Sequence, residues 1–221
     1  MNFLEYFHYG YIQDRRAHVL AEQLSSLIPH NTTLLDVGCG DGRLSARILD
    51  SRGDTVIKSV DVLARNQSYF PVDLFDGQTI PAADGSFEVV MFVDVLHHTE
   101  DPMILLREAA RVVRRHIILK DHILDRLLAK TTLRFMDCIC NARYNSYTAS
   151  PPYWCERKWR QAFEEIGLYP NILDSLFGGT LHSLTGNQLA TGMNKLERID
   201  PRYKSYLTDV PDGVVGGVVS P

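Results

Sequence analysis

The chain has 221 residues, 45% of them hydrophobic and 23% charged, with a formal net charge of −4. That suffices for one α/β domain with a full core. The acidic balance argues against a broad phosphate-binding surface, and so against a nucleic-acid partner. No apolar run approaches the roughly 20 residues of a membrane span, and Met1 to Gly10 lacks the basic-then-apolar pattern of a signal peptide. The cysteines, at positions 39, 138, 140 and 155, match no disulfide framework or zinc ribbon. Reduced thiols and a cytoplasmic location are therefore expected.

The first element is a cap helix over about 12–28, with Ala17, Leu20, Leu24 and Leu27 on one apolar face. Tyr6, Phe7, Tyr9 and Tyr11 precede it and either line a pocket or anchor the segment on the core. Thr33 to Val37 then reads as a short buried strand. It runs into Gly38, Gly40 and Gly42, and a helix follows from Arg43 to about Ser51. A strand that turns tightly into a helix leaves backbone N–H groups at the strand's carboxyl end. Glycine lets a ligand approach that backbone closely. The spacing differs from the G-x-G-x-x-G of pyrophosphate loops. Asp36 on the strand suits a ligand with a positive amine and no phosphate there.

Thr55 to Val62 reads as a second strand, with Asp61 near its end, 19 positions after Gly42. An acid about that far along accepts hydrogen bonds from ribose hydroxyls in nucleotide-binding βαβ units. Tyr69 to Phe75 is a weaker strand, broken near Pro71, and leads into the turn signal Asp76-Gly77. Phe87 to Val93 is a central buried strand ending in Asp94-Val95-Leu96-His97-His98. Asp101-Pro102 starts a helix that runs to about Arg114, and His116 to Lys120 is a fifth strand. Five strands alternating with helices imply a doubly wound parallel sheet that binds ligands beyond its carboxyl ends. Asp36, Gly38, Asp61, Asp76, His97, Lys120 and Asp121 all fall on that edge. Beyond it come an apolar stretch at Leu124 to Cys140, a loop to Pro152 and a helix at Trp154 to Ile166. Two final strands are expected at Asn171 to Phe177 and Thr180 to Thr185.

Asp36-x-Gly38-x-Gly40-x-Gly42, Leu96-His97-His98 and Leu106-x-Glu108-x-x-Arg111-Val112 together resemble the small-molecule branch of the class I S-adenosylmethionine-dependent methyltransferases. Glu88 stands where that branch commonly has Asp. The resemblance covers about residues 12 to 120. It implies an α/β, Rossmann-like, doubly wound and mostly parallel seven-stranded sheet with an antiparallel C-terminal strand. It also implies a helical insertion after strand five, a substrate lid over about 122–153. The domain would span 1–186, with 187–221 a C-terminal extension outside the core.

The same resemblance implies S-adenosyl-L-methionine as cofactor and S-adenosyl-L-homocysteine as product. Asp36, Gly38, Gly40 and Gly42 would form the loop beside the methionine part. Asp61 and Val62 would meet the ribose end, Asp76 the exocyclic amine of adenine and Gly77 the ring. Asp94 completes the expected cofactor-binding set. The acceptor would be an O, N or C atom of a small molecule, methylated mainly by positioning. His97 is the candidate general base for a hydroxyl acceptor, unless it and His98 simply pack the pocket. Asp94 and Asp121 suggest a Mg²⁺ site only weakly, because His122 is a poor Mg²⁺ ligand; no metal is expected. The competing reading is a catalytically silent cofactor-binding or regulatory protein with the same fold. The oligomeric state carries no signature in the sequence.

Overall fold

A computed structural model of the chain describes residues 13–122, 154–174 and 191–198. The elements in chain order are α1 (Gln13–Ser25), β1 (Thr33–Val37), α2 (Arg43–Ser51), β2 (Val56–Asp61), β3 (Asp73–Leu74), β4 (Phe87–Val93), a 3₁₀ turn (Leu96–His98), α3 (Pro102–Val112), β5 (Val113–His122), α4 (Glu156–Glu165), β6 (Leu168–Asp174) and β7 (Thr191–Arg198). Among the described residues the sheet order is β3-β2-β1-β4-β5-β7-β6. The first five strands are parallel, and β7 runs antiparallel to both β5 and β6.

Alternation along the strands builds two cores. Leu35 and Val37 of β1, Val90 and Phe92 of β4, and Ile117 and Leu119 of β5 face one way. They pack with Leu105, Leu106 and Ala109 of α3 and Trp159 and Phe163 of α4. Leu34, Val89, Met91 and Ile118 face the other way, toward Leu20, Ala21 and Leu24 of α1 and Ile48 of α2. Strands covered on both faces read as near-continuous apolar runs, which is why β1 and β4 are plain in the sequence. Helix α3 begins as its sequence dictates. Asp101 caps it by accepting from the Met103 N–H at 3.0 Å, and Pro102 sits in the first turn.

Several expected bounds shift. The weak third strand contracts to Asp73–Leu74, an edge pair whose Leu74 is 59% exposed. Exposure removes the apolar pattern, and Pro71 lies in the run. β5 starts directly at the end of α3, at Val113, and is longer than expected. Of the final strands, β6 opens at Leu168 and a further strand, β7, lies at Thr191–Arg198, while the strand expected at 180–185 falls outside the described residues. The sheet therefore reaches past residue 186, into what was expected to be the extension. β7 is held in place by backbone pairing to two neighbours, which its polar sequence TGMNKLER does not advertise. The remaining expectations for Tyr6 to Tyr11, for the lid up to Tyr153, for Cys138 and Cys140, and for 199–221 lie outside the described residues.

Candidate active site

The strand order reverses between β1 and β4, and in such sheets the ligand crevice opens at that switch point. The glycine loop lies there. The Gly38 N–H donates to the Val60 carbonyl at 2.8 Å, and Gly42 closes the turn by donating to Cys39 at 3.1 Å. All three glycines have positive φ, at 73°, 64° and 73°, but their surroundings differ. A Cβ on Gly38 would lie 2.6 Å from the Val95 side chain, and one on Gly42 would lie 2.7 Å from Phe70. A Cβ on Gly40 would meet nothing within 4 Å. Two glycines thus serve internal packing, and Gly40 presents bare backbone to open space.

Asp61 is brought to this loop. One carboxylate oxygen accepts from the Gly40 N–H at 2.7 Å and the other from the Leu63 N–H at 2.9 Å. Asp61 is 4% exposed, and a carboxylate offers about four acceptor positions. The next residue, Val62, is 51% exposed, and Gly77 lies against it, so that a Cβ there would be 3.0 Å from Val62 Cγ1. Asp76 folds the Gly77 turn by accepting from the Thr79 N–H at 2.7 Å and the Gln78 N–H at 2.8 Å. Those backbone bonds hold its carboxyl below the usual carboxylate range.

The adjoining loop explains the Leu-x-Glu-x-x-Arg pattern. Glu108 accepts from the Ile80 N–H at 2.9 Å. Arg111 donates to the Ile80 and Ala82 carbonyls at 3.0 and 2.8 Å and to Asp84 at 2.7 Å. Helix α3 thereby clamps the segment that follows Gly77.

Two of the expected site residues are buried in internal hydrogen bonds. Asp36 is 2% exposed. Its neighbours Leu35 and Val37 face α3 and α4, so strand parity turns Asp36 toward α2. There Ser45 donates to it at 2.5 Å and Ser45 in turn meets Ser59 at 2.9 Å. Burial pushes the Asp36 carboxyl up to about 7, against the lowering effect of the Ser45 hydrogen bond. Burial likewise pushes the Cys39 thiol well above its usual range, reinforced by Asp36 and Asp61. The unfolded-state value for an Asp is about 3.9, so folding raises it. Asp36 therefore contributes stability that is present below about pH 4 and is lost as pH rises through about 7. The stability of Asp36→Asn relative to the native protein is expected to rise between those limits, followed by calorimetry. A difference that stays flat with pH would contradict the assignment.

The second is His97. It is 2% exposed, and its Nδ1 lies 2.6 Å from Asp121. The same carboxylate accepts from the Leu96 N–H at 2.8 Å and the His97 N–H at 3.3 Å. His98 packs on His97 at a ring distance of 4.0 Å. His97 and Asp121 thus tie the turn after β4 to the end of β5.

Asp94 sits on the other network. Its φ is 57°, uncommon for a residue with a side chain. Both carboxylate oxygens meet Lys120 Nζ, at 2.5 and 2.6 Å, and Arg16 of α1 also reaches Asp94. Burial pushes the Lys120 ammonium below its usual range, and the Asp94 charge opposes that. Asp94 and Asp121, the pair considered for Mg²⁺, are thus committed to separate networks. Among the described residues no group of three His, Cys, Asp or Glu side chains is arranged to hold a metal ion. Sequence reasoning missed Ser45, Ser59 and Arg16, whose partners are distant in the chain.

A parallel doubly wound sheet with a glycine loop and an acid at the end of β2 defines a Rossmann-like nucleotide-cofactor domain. Residues 35–119 match the family model described as "Methyltransferase domain". The chain is 28% identical over 131 residues to 27-O-demethylrifamycin SV methyltransferase of Amycolatopsis mediterranei, covering 50% of this chain and 48% of that one. It is 31% identical over 98 residues to demethylmenaquinone methyltransferase of Bacillus licheniformis, covering 39% and 42%. Its fold is similar to that of magnesium protoporphyrin IX methyltransferase of Synechocystis PCC 6803, solved with S-adenosylhomocysteine (TM-score 0.57, 15% identity, 90% and 89% covered). Residues 35–119 are thus similar to methyltransferase domains, and the fold is shared with methyltransferases of known structure. The chain spans about half the length of these curated relatives. No helix among the described residues is long and apolar enough to cross a membrane.

Proposed function

We propose that this protein transfers a methyl group from S-adenosyl-L-methionine to an O, N or C atom of a small molecule, chiefly by positioning. The observation that carries the reading is the bare backbone of Gly40 at the switch point, bonded to Asp61. A cofactor's methionine part would lie against the bare backbone of Gly40. Asp61 would accept from the ribose hydroxyls. Val62 and Gly77 would offer an apolar surface to adenine, and the second oxygen of Asp76 would accept from its amine. The bound sulfonium supplies an already activated methyl group. The chain's residues then orient the acceptor and keep water out. His97 and Asp121 position the turn after β4 and do not take a proton. Two relatives named for small-molecule acceptors, 27-O-demethylrifamycin SV and demethylmenaquinone, support the small-molecule assignment.

The test is titration calorimetry with S-adenosylmethionine and S-adenosylhomocysteine, followed by transfer of labelled methyl to an acceptor panel. Micromolar-range binding with turnover is expected. Binding without turnover across a broad panel would favour the silent cofactor-binding protein, and no binding of either ligand would reject the proposal.

A further inference from the structure

We propose that Arg16, Asp94 and Lys120 form the acceptor subsite and select acceptors that carry an acidic hydroxyl or carboxyl group, bound as the anion. The inference rests on the methyltransferase reading above and narrows its substrate class.

The cluster is beside the cofactor loop. Gly38 packs directly on Val95, the residue after Asp94. Asp94 is anchored to the sheet by its N–H, which donates to the Lys120 carbonyl at 2.8 Å. Its φ of 57° lies in the left-handed region, uncommon for a residue with a side chain. Strain of this kind is common at ligand clamps.

Charge gives the selectivity. Two cations share one carboxylate. Lys120 is buried behind Asp94, whereas the Arg16 side chain is 37% exposed. A guanidinium has five N–H donors in a planar fork that matches carboxylates and oxyanions. Arg16 meets Asp94 through Nη2, which leaves the rest of the fork for a ligand. Among the described residues, the neighbouring acids have other partners. Asp14 on the same helix is held by Arg47 at 2.8 Å. Asp121 follows Lys120 in an extended strand and so faces the opposite side of the sheet, against His97 and the Leu96 N–H.

The arrangement also answers the loss of His97 as a base. A positive site favours the ionised form of an acidic acceptor. The acceptor proton leaves to solvent before binding, and no protein base is required.

The test uses protein saturated with S-adenosylhomocysteine and titrated with matched pairs: benzoate against benzamide, and 2-naphthoate against 2-naphthamide. The anion of each pair is expected to bind at least about tenfold tighter, the scale of one charge-assisted hydrogen bond. Arg16→Gln should erase most of that preference without changing S-adenosylhomocysteine affinity, and Arg16→Lys should keep part of it. Equal binding within the pairs, or binding of neither member, overturns the proposal. So does an Arg16→Gln variant that melts earlier yet keeps the preference, since the cluster would then only fasten α1 to the sheet. Should Arg16→Gln fail to fold, the pair comparison on the native protein decides alone. Failure of S-adenosylhomocysteine to bind the native protein would instead defeat the methyltransferase reading itself.

Discussion

Gly40→Ala is expected to lose cofactor binding by a factor of up to about 100, the scale of about 1–3 kcal/mol of steric overlap, while the protein stays folded. The position is in left-handed backbone at φ 64°, so the substitution costs about 1–2 kcal/mol of stability. Among the described residues, no atom lies where its methyl group would go. The space it fills is the space the proposal gives to the cofactor. Gly38→Ala should behave in the opposite order. Its methyl would meet Val95 at 2.6 Å, so overpacking of about 1–3 kcal/mol adds to the backbone strain. On a chain of this size about 1 kcal/mol moves the melting temperature by roughly 2–4 °C. Thermal melts with and without S-adenosylhomocysteine separate the two. Gly40→Ala should melt slightly low and gain nothing from the ligand. Gly38→Ala should melt markedly low before any ligand is added. A Gly40→Ala protein that binds like the native one would remove the observation on which the proposed function rests.

The second large effect is expected at Asp61. Its carboxylate bonds the Gly40 and Leu63 N–H groups and, by the proposal, the cofactor ribose. Hydrogen bonds to a charged acceptor are worth about 1.5–3 kcal/mol each. Asp61→Ala removes two to the ribose and loosens the glycine loop at once. A fall in cofactor affinity of about 100-fold to 10,000-fold follows, at roughly 1.4 kcal/mol per tenfold. Asp61→Asn keeps one acceptor oxygen and should fall between the two. Titration calorimetry reads both. If 2′-deoxy and 3′-deoxy analogues of S-adenosylhomocysteine lose as much on the native protein as on Asp61→Ala, the ribose contact belongs to another residue.

The order of elements and much of the site were legible in the residues alone. Thr33–Val37, Arg43–Ser51 and Phe87–Val93 end where the structure ends them, because each apolar or periodic run meets a glycine, a cap or a polar turn. Gly38, Gly40, Gly42 and Asp61 could be picked out because turn chemistry and spacing are local properties. Tertiary structure decided which glycine is bare, since Val95 and Phe70 reach the other two from loops far along the chain. It turned Asp36 inward, because strand parity and the two serines of α2 and β2 outweigh an acid's usual preference for water. It buried His97 on Asp121 and joined Arg16 to Asp94 across 78 positions. It also drew the polar β7 into the sheet between β5 and β6. The physical division is one of range. Periodicity, caps and turns act within a few residues and leave their mark in the sequence, whereas pairings between distant polar groups and strands exist only after the sheet has assembled.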